Sequence, residues 1–208
     1  MHMIKTLSIL VLIDTSGSMS GISLRRVQVM LERLKSRIQS SEIIRTNTEI
    51  CVMGFNERTY SIIQWTKIDG LGQMKLCAYG STNLTNALYE AVDEIIKRQS
   101  ELIGEKRSIL LLITDAYGGD LAPNIKEKLQ ETGIDLWLCG LPGFDKESAA
   151  IIVDSNKVFE LTSQITDSFD EFYTAILRSM NSILSLSHGH PALCPIGNDL
   201  NKIDRKVS

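Results

Sequence analysis

Residues 7–22 read LSILVLIDTSGSMSGI. A mostly apolar run fills residues 7–13, stops on Asp14, and gives way to hydroxyl side chains at Thr15, Ser16, Ser18 and Ser20. A short apolar run bounded by polar residues is how a strand covered on both faces by helices reads in sequence, because neither face alternates to meet water. The run is therefore a central strand of a parallel sheet, with Asp14 at its carboxyl end.

Residues 109–113 form a second such run, residues 49–55 and 134–141 two less uniform ones, and residues 158–161 a shorter candidate. Residues 60–65 follow the turn Asn56-Glu57-Arg58 too closely for a crossover helix, so that strand returns antiparallel, at an edge. Between the runs the period changes to three and four. Leu24, Val27, Leu31, Leu34 and Ile38 mark one long helix, and Leu84, Leu88, Ala91 and Ile95 a second. Leu121, Ile125 and Leu129 mark a third, and Phe169, Phe172, Ile176, Met180 and Ile183 a fourth, with Ser168 and Glu171 at capping-box spacing. A short further helix is expected between Asp145 and Val153. Alternation of this kind predicts an α/β fold: a doubly wound, mostly parallel sheet in the order 3-2-1-4-5-6, with one antiparallel edge strand and helices on both faces.

The composition agrees with one folded domain: 208 residues, 43% hydrophobic and 23% charged. With a formal charge of −3 and its 22 Lys and Arg spread along the chain, it lacks the basic footprint of a nucleic-acid binder. No apolar stretch reaches membrane-spanning length, so a membrane is not an expected partner. Cys51, Cys77, Cys139 and Cys194 are far apart with no C-x-x-C pair, which points to a reducing compartment. No leader pattern precedes the first loop, and cytoplasm is the expected location. Residues 4–185 read as the domain, and residues 186–208 as a loop-like or packed tail. His188, His190 and Cys194 in that tail have metal-ligand side chains but no fourth ligand at a recognisable spacing, and read as loop residues. Trp65 and Trp137 fall in strand-like runs and read as packing.

In an open parallel sheet the ligand crevice lies at the carboxyl ends of the strands. Asp14 ends the first strand and Asp115, in Ile113-Thr114-Asp115, ends the fourth; the expected order makes those strands neighbours. Two carboxylates and the hydroxyls of Ser16 and Ser18 then converge. The D-x-S-x-S spacing sets three oxygen-bearing residues at alternate positions, with Gly17 at the turn and Thr15 facing away. Thr82, in the turn Gly80-Ser81-Thr82 that opens the second long helix, completes the set. Oxygen-only donors with few carboxylates suit a hard cation that keeps some water, Mg²⁺ or Mn²⁺. Local capping roles compete: Ser20 or Ser23 for the first helix, Asp120 for the third, and Thr82 as cap and ligand together.

The segments Asp14-Thr15-Ser16-Gly17-Ser18, Gly80-Ser81-Thr82 and Thr114-Asp115, in that order, resemble the metal-ion-dependent adhesion site of the von Willebrand factor A family. Met19-Ser20-Gly21 extends the resemblance to the bacterial tellurium-resistance-associated, TerY-like group. The resemblance implies that Asp14, Ser16 and Ser18 form the first metal loop, Thr82 the second and Asp115 the third. It implies a coordination position filled by an acidic side chain of a partner protein, hence a binding module in a bacterial stress or tellurium-resistance setting. Two departures stand out: Ala116 follows Asp115 where the family usually has Gly, and Gly80-Ser81-Thr82 replaces Gly-Gly-Thr.

Enzyme readings fail on missing groups. A haloacid-dehalogenase-type phosphatase needs a second Asp two residues after the first, and Ser16 stands there. A serine hydrolase needs a base, yet the histidines are His2, His188 and His190, none near a G-x-S-x-G elbow. A dinucleotide fold would place a glycine-rich turn where Asp14 would repel phosphate. The protein is therefore not expected to be an enzyme, a metal-dependent phosphotransferase being the weakest of the alternatives. The main alternative, also drawn from the TerY-like resemblance, is a scaffold in a module with a Ser/Thr kinase and a phosphatase, with Thr15 or Ser16 as phosphoryl acceptor.

Overall fold

The computed structural model describes residues 5–115, 124–142, 144, 149, 152–154, 157–160 and 167–185. Six strands form one sheet: β1 (Lys5–Asp14), β2 (Thr48–Phe55), β3 (Thr59–Lys67), β4 (Glu105–Thr114), β5 (Ile134–Gly140) and β6 (Val158–Glu160). Their spatial order is β3-β2-β1-β4-β5-β6, as the alternation of runs predicts. Every pairing is parallel except β2 with β3, the edge hairpin forced by its short turn.

Among the described residues these helices accompany the sheet: α1 (Ile22–Gln39), α2 (Glu42–Asn47), α3 (Leu84–Glu101), α4 (Ile125–Thr132) and α5 (Asp167–Ser185). The period of two in β1 sorts the core into two halves. Leu7, Ile9, Val11 and Ile13 pack with α1 and α5, through residues such as Val27, Leu34, Phe172 and Ile176. Leu10 and Leu12 face the other way, against Leu88, Val92 and Ile95 of α3 and Ile125 and Leu129 of α4. Trp137, Phe159, Phe172 and Tyr173 form an aromatic chain beneath α5, and the Tyr173 hydroxyl donates to the Met30 carbonyl of α1 at 3.0 Å. Trp137 is thus packing, as read. Trp65 donates from its indole N–H to Glu94 at 2.8 Å, tying the edge strand to α3.

Helix α2 escapes sequence reading because six residues with one buried side chain, Ile44, show no stripe. Leu121, Asp120, Ala116, most of the helix expected between Asp145 and Val153, the Ser168 and Glu171 side chains and the tail lie outside the described residues; within that expected helix Val153 N–H bonds Ala149 O at 3.0 Å. Among the described residues no helix is long and apolar enough to cross a membrane.

At the amino ends of the strands, the buried Glu49 of β2 stands level with Ser8 of β1. Ser8 donates to its Oε1 at 2.6 Å, and Arg98 of α3 grips both oxygens at 2.9 and 2.6 Å. Burial pushes the Glu49 carboxyl up, but Arg98 and the Ser8 hydroxyl outweigh it and hold it below the ordinary carboxylate range. A depressed folded pKa means that the stabilisation is complete above the unfolded value and is lost as pH falls through the folded one. Glu49→Gln should therefore cost about 2–3 kcal/mol in urea unfolding at neutral pH. The gap to wild type should narrow steadily as the buffer is taken below the ordinary carboxylate range; a gap independent of pH would contradict this account.

Candidate metal centre

Asp14 is the last residue of β1, level with Phe55 of β2, and is fully buried. Its Oδ1 accepts the backbone N–H of Ser16 at 2.9 Å, which turns the chain sharply after the strand. Its Oδ2 accepts the Thr114 hydroxyl at 2.6 Å, across a sequence separation of 100. Parallel pairing of β1 with β4 through Ile13 and Ile113 sets up that contact, because the next residue on each strand is then Asp14 or Thr114.

The loop continues as a single 3-10 turn, Gly17–Met19, pinned by the buried Met19. The Ser16 and Ser18 hydroxyls lie 3.0 Å apart, and Ser18 Oγ donates to Asp115 Oδ1 at 3.0 Å. A line of oxygens thus runs from Asp14 through Ser16 and Ser18 to Asp115. Burial pushes the Asp115 carboxyl up, the Ser18 bond opposes that, and the nearby Asp14 charge adds to the rise.

The second loop is clamped to the first by backbone bonds: Tyr79 N–H to Thr15 O and Gly17 N–H to Gly80 O, both 2.9 Å. It is also tied to the β2–β3 turn, where Asn83 N–H meets Asn56 O at 2.8 Å. Thr82 is exposed two residues beyond Gly80, whose carbonyl meets Gly17 N–H, and stands outside the line of bonds described above. The structure therefore joins Asp14, Ser16, Ser18 and Asp115 and ties the loop that carries Thr82 to the same turn.

The expected caps are not used. Gly21 caps α1 without a side-chain bond, so neither Ser20 nor Ser23 serves. Asn83 caps α3 and accepts Asn86 N–H at 3.2 Å, which relieves Thr82 of that role. Gly17 opens the tight 3-10 turn, while the positive φ lies at Gly21, with φ 76°, where a side chain would strain the backbone. Gly17 serves a close approach instead: a Cβ there would stand 3.2 Å from the Gly80 carbonyl oxygen.

Sequence reasoning missed three contributors. Thr114 is the first, holding Asp14. Thr15 is the second: it does face away from the oxygen line, into a fully buried site where its hydroxyl donates to Phe55 O at 2.8 Å. Tyr60 is the third, donating to Thr15 Oγ1 at 2.8 Å. Burial pushes the Tyr60 hydroxyl up, while its bond to Thr15 opposes this. Gly54, paired with Tyr60 across the hairpin, makes room for the ring, since a Cβ there would lie 2.6 Å from Tyr60 Cζ. A glycine facing a tyrosine in an antiparallel pair was the available signal, but only once the register was known.

The donor chemistry suits a hard divalent cation: two carboxylates and two hydroxyls converge, while no group of three or more His, Cys, Asp or Glu is present among the described residues. The fold has solved counterparts. The pilus adhesin SpaC from Lactobacillus rhamnosus GG superposes with a TM-score of 0.67 at 13% identity, over 87% of this chain and 30% of that one. The von Willebrand factor domain of the type V pili tip protein Mfa5 from Porphyromonas gingivalis gives 0.64 at 10%, over 91% and 99%. Proximal thread matrix protein 1 from the mussel byssus, with a zinc-occupied MIDAS motif, gives 0.59 at 19%, over 87% and 45%. The chain thus spans less than half of the adhesin and of the byssus protein. No curated protein sequence matches it. A family model for the von Willebrand factor type A domain matches residues 8–175, most of the chain, and with the sheet order and the strand-end loops above this places the protein in that family.

Proposed function

We propose that the protein is a metal-dependent interaction module, in which Asp14, Ser16, Ser18, Thr82 and Asp115 hold Mg²⁺ or Mn²⁺. The observation that carries this reading is the chain of bonds that links Asp14 to the Ser16 backbone N–H, the Ser16 hydroxyl to that of Ser18, and Ser18 to Asp115, with no basic side chain in that line. A bound cation would neutralise the two carboxylates and offer an acidic side chain of a partner protein a coordination position. The zinc-occupied site of the byssus protein supports a divalent metal on this fold without choosing among metals. The TerY-like setting, a cytoplasmic location and a kinase and phosphatase as partners rest on the sequence pattern alone.

Against the phosphoacceptor reading stands burial: Thr15 is 0% and Ser16 2% exposed, and the Thr15 hydroxyl is committed to Phe55 and Tyr60. A kinase needs the acceptor hydroxyl in the open, so either residue would be reached only after the first loop unfolded locally.

Calorimetric titration of Mg²⁺ and Mn²⁺ into the protein should show saturable binding that Asp14→Ala abolishes while circular dichroism stays that of a folded chain. Equal heats from wild type and variant would refute the site. The Tyr60–Thr15 bond yields a separate expectation for the metal-free protein. Tyr60→Phe should cost about 1 kcal/mol and raise amide exchange at Thr15, Ser16 and Gly17 several-fold, with β4 and β5 unchanged. Exchange that rises equally throughout the sheet would show that Tyr60 supports the fold rather than the loop.

A further inference from the structure

The exposed large apolar side chains are not evenly placed. Ile43 and Ile103 lie near the amino ends of the strands, and Val29 and Ile96 within helices. Ile22 and Tyr79, 69% and 62% exposed, flank the loops of the oxygen cluster. Ile22 opens α1 three residues after Met19. Tyr79 immediately precedes Gly80, and its own N–H is bonded to Thr15. The two backbone bonds that clamp the first loop to the second therefore hold both side chains at the end of the sheet that carries Asp14 and Asp115. Single exposed apolar residues are ordinary on a protein surface. These two both adjoin the loops of the oxygen cluster, and the Tyr79 segment is fixed to the first loop by a main-chain bond.

Exposed cations adjoin the same loops. Arg25, one helical turn beyond Ile22, and Arg58, in the β2–β3 turn beside the second loop, are exposed and have no ion-pair partner among the described residues. Glu57, between them and the loop, is turned to the Ser81 N–H. Exposed guanidinium groups beside the two loops raise the local concentration of an acidic partner and favour carboxylate recognition.

We propose that Ile22 and Tyr79 form an apolar rim selecting a protein segment in which the metal-seeking Asp or Glu is flanked by an aromatic or branched aliphatic residue. This rests on the metal-bridged reading above and adds to it the neighbours of the bridging residue. The carboxylate supplies direction, and burial of its apolar neighbours against the rim supplies selectivity among acidic partners.

The test is a random peptide library displayed on phage, selected on the full chain in Mg²⁺ and eluted with EDTA. Enriched peptides should carry an acidic residue beside an aromatic or branched aliphatic one. In fluorescence anisotropy they should bind Ile22→Ser and Tyr79→Ser variants about tenfold more weakly, with Mg²⁺ affinity by calorimetry unchanged. Acidic peptides without apolar neighbours, or affinities that neither substitution alters, would overturn the rim while leaving the metal site standing. Mg²⁺ uptake with no Mg²⁺-dependent enrichment would overturn the rim and the bridged partner together. Absence of Mg²⁺ uptake would place the failure in the metal reading, and the rim proposal would fall with it.

Discussion

The buried carboxylate of Asp14 is the constraint around which the carboxyl end of the sheet is arranged. An ionised carboxylate withdrawn from water is costly unless hydrogen bonds or an opposite charge compensate it. The protein supplies one backbone N–H, from Ser16, and one hydroxyl, from Thr114. The first requires the chain to turn at Ser16, which sends the Ser16 and Ser18 hydroxyls toward Asp115. The second requires β4 to lie beside β1 in one register, because a slip of one residue would put Ile113 or Asp115 where Thr114 stands. Local turn and long-range pairing thus meet on one side chain.

The neighbouring strand β2 carries a second buried carboxylate, and the contrast between the two separates structure from function. Glu49 lies six positions of register below the level of Asp14, about 20 Å away along a strand. There Arg98 grips both carboxylate oxygens and Ser8 adds a hydroxyl, so the charge is matched within the chain. At the other end Asp14 takes the Ser16 N–H and the Thr114 hydroxyl, Asp115 takes the Ser18 hydroxyl, no basic side chain enters that line of bonds, and burial and the nearby Asp14 charge both raise the cost of ionising Asp115. A fold selected for stability alone would treat both ends alike. Loops clamped by main-chain bonds hold the acidic end in place, and a cation from outside is what the proposed function would add there.

Much of this was legible in the sequence because burial leaves a periodic trace. The apolar runs gave the parallel strands, the three-residue turn after Phe55 gave the antiparallel edge, and the oxygen residues at the ends of β1 and β4 gave the cluster. What escaped depends on single dihedral angles or on register, neither of which leaves a period. The α1 cap moved to Gly21 because a positive φ served that turn better than any serine hydroxyl, and Asn83 displaced Thr82 as the α3 cap. The Tyr60–Thr15 bond requires Gly54 to sit opposite Tyr60, a pairing set by irregular register within the β2–β3 hairpin.

Reliance on hydroxyls has a consequence for how the proposed centre would behave. Two carboxylates balance a divalent charge, and neutral Ser and Thr oxygens add ligands without adding charge. Such a set holds a cation less tightly than one with three or four carboxylates, and leaves it able to gain from another anionic ligand. An added Asp or Glu within the chain would strengthen the metal but remove the advantage of a partner's carboxylate. Weak intrinsic binding and sensitivity to a partner then have one physical origin, in the choice of serine at two of the three D-x-S-x-S positions.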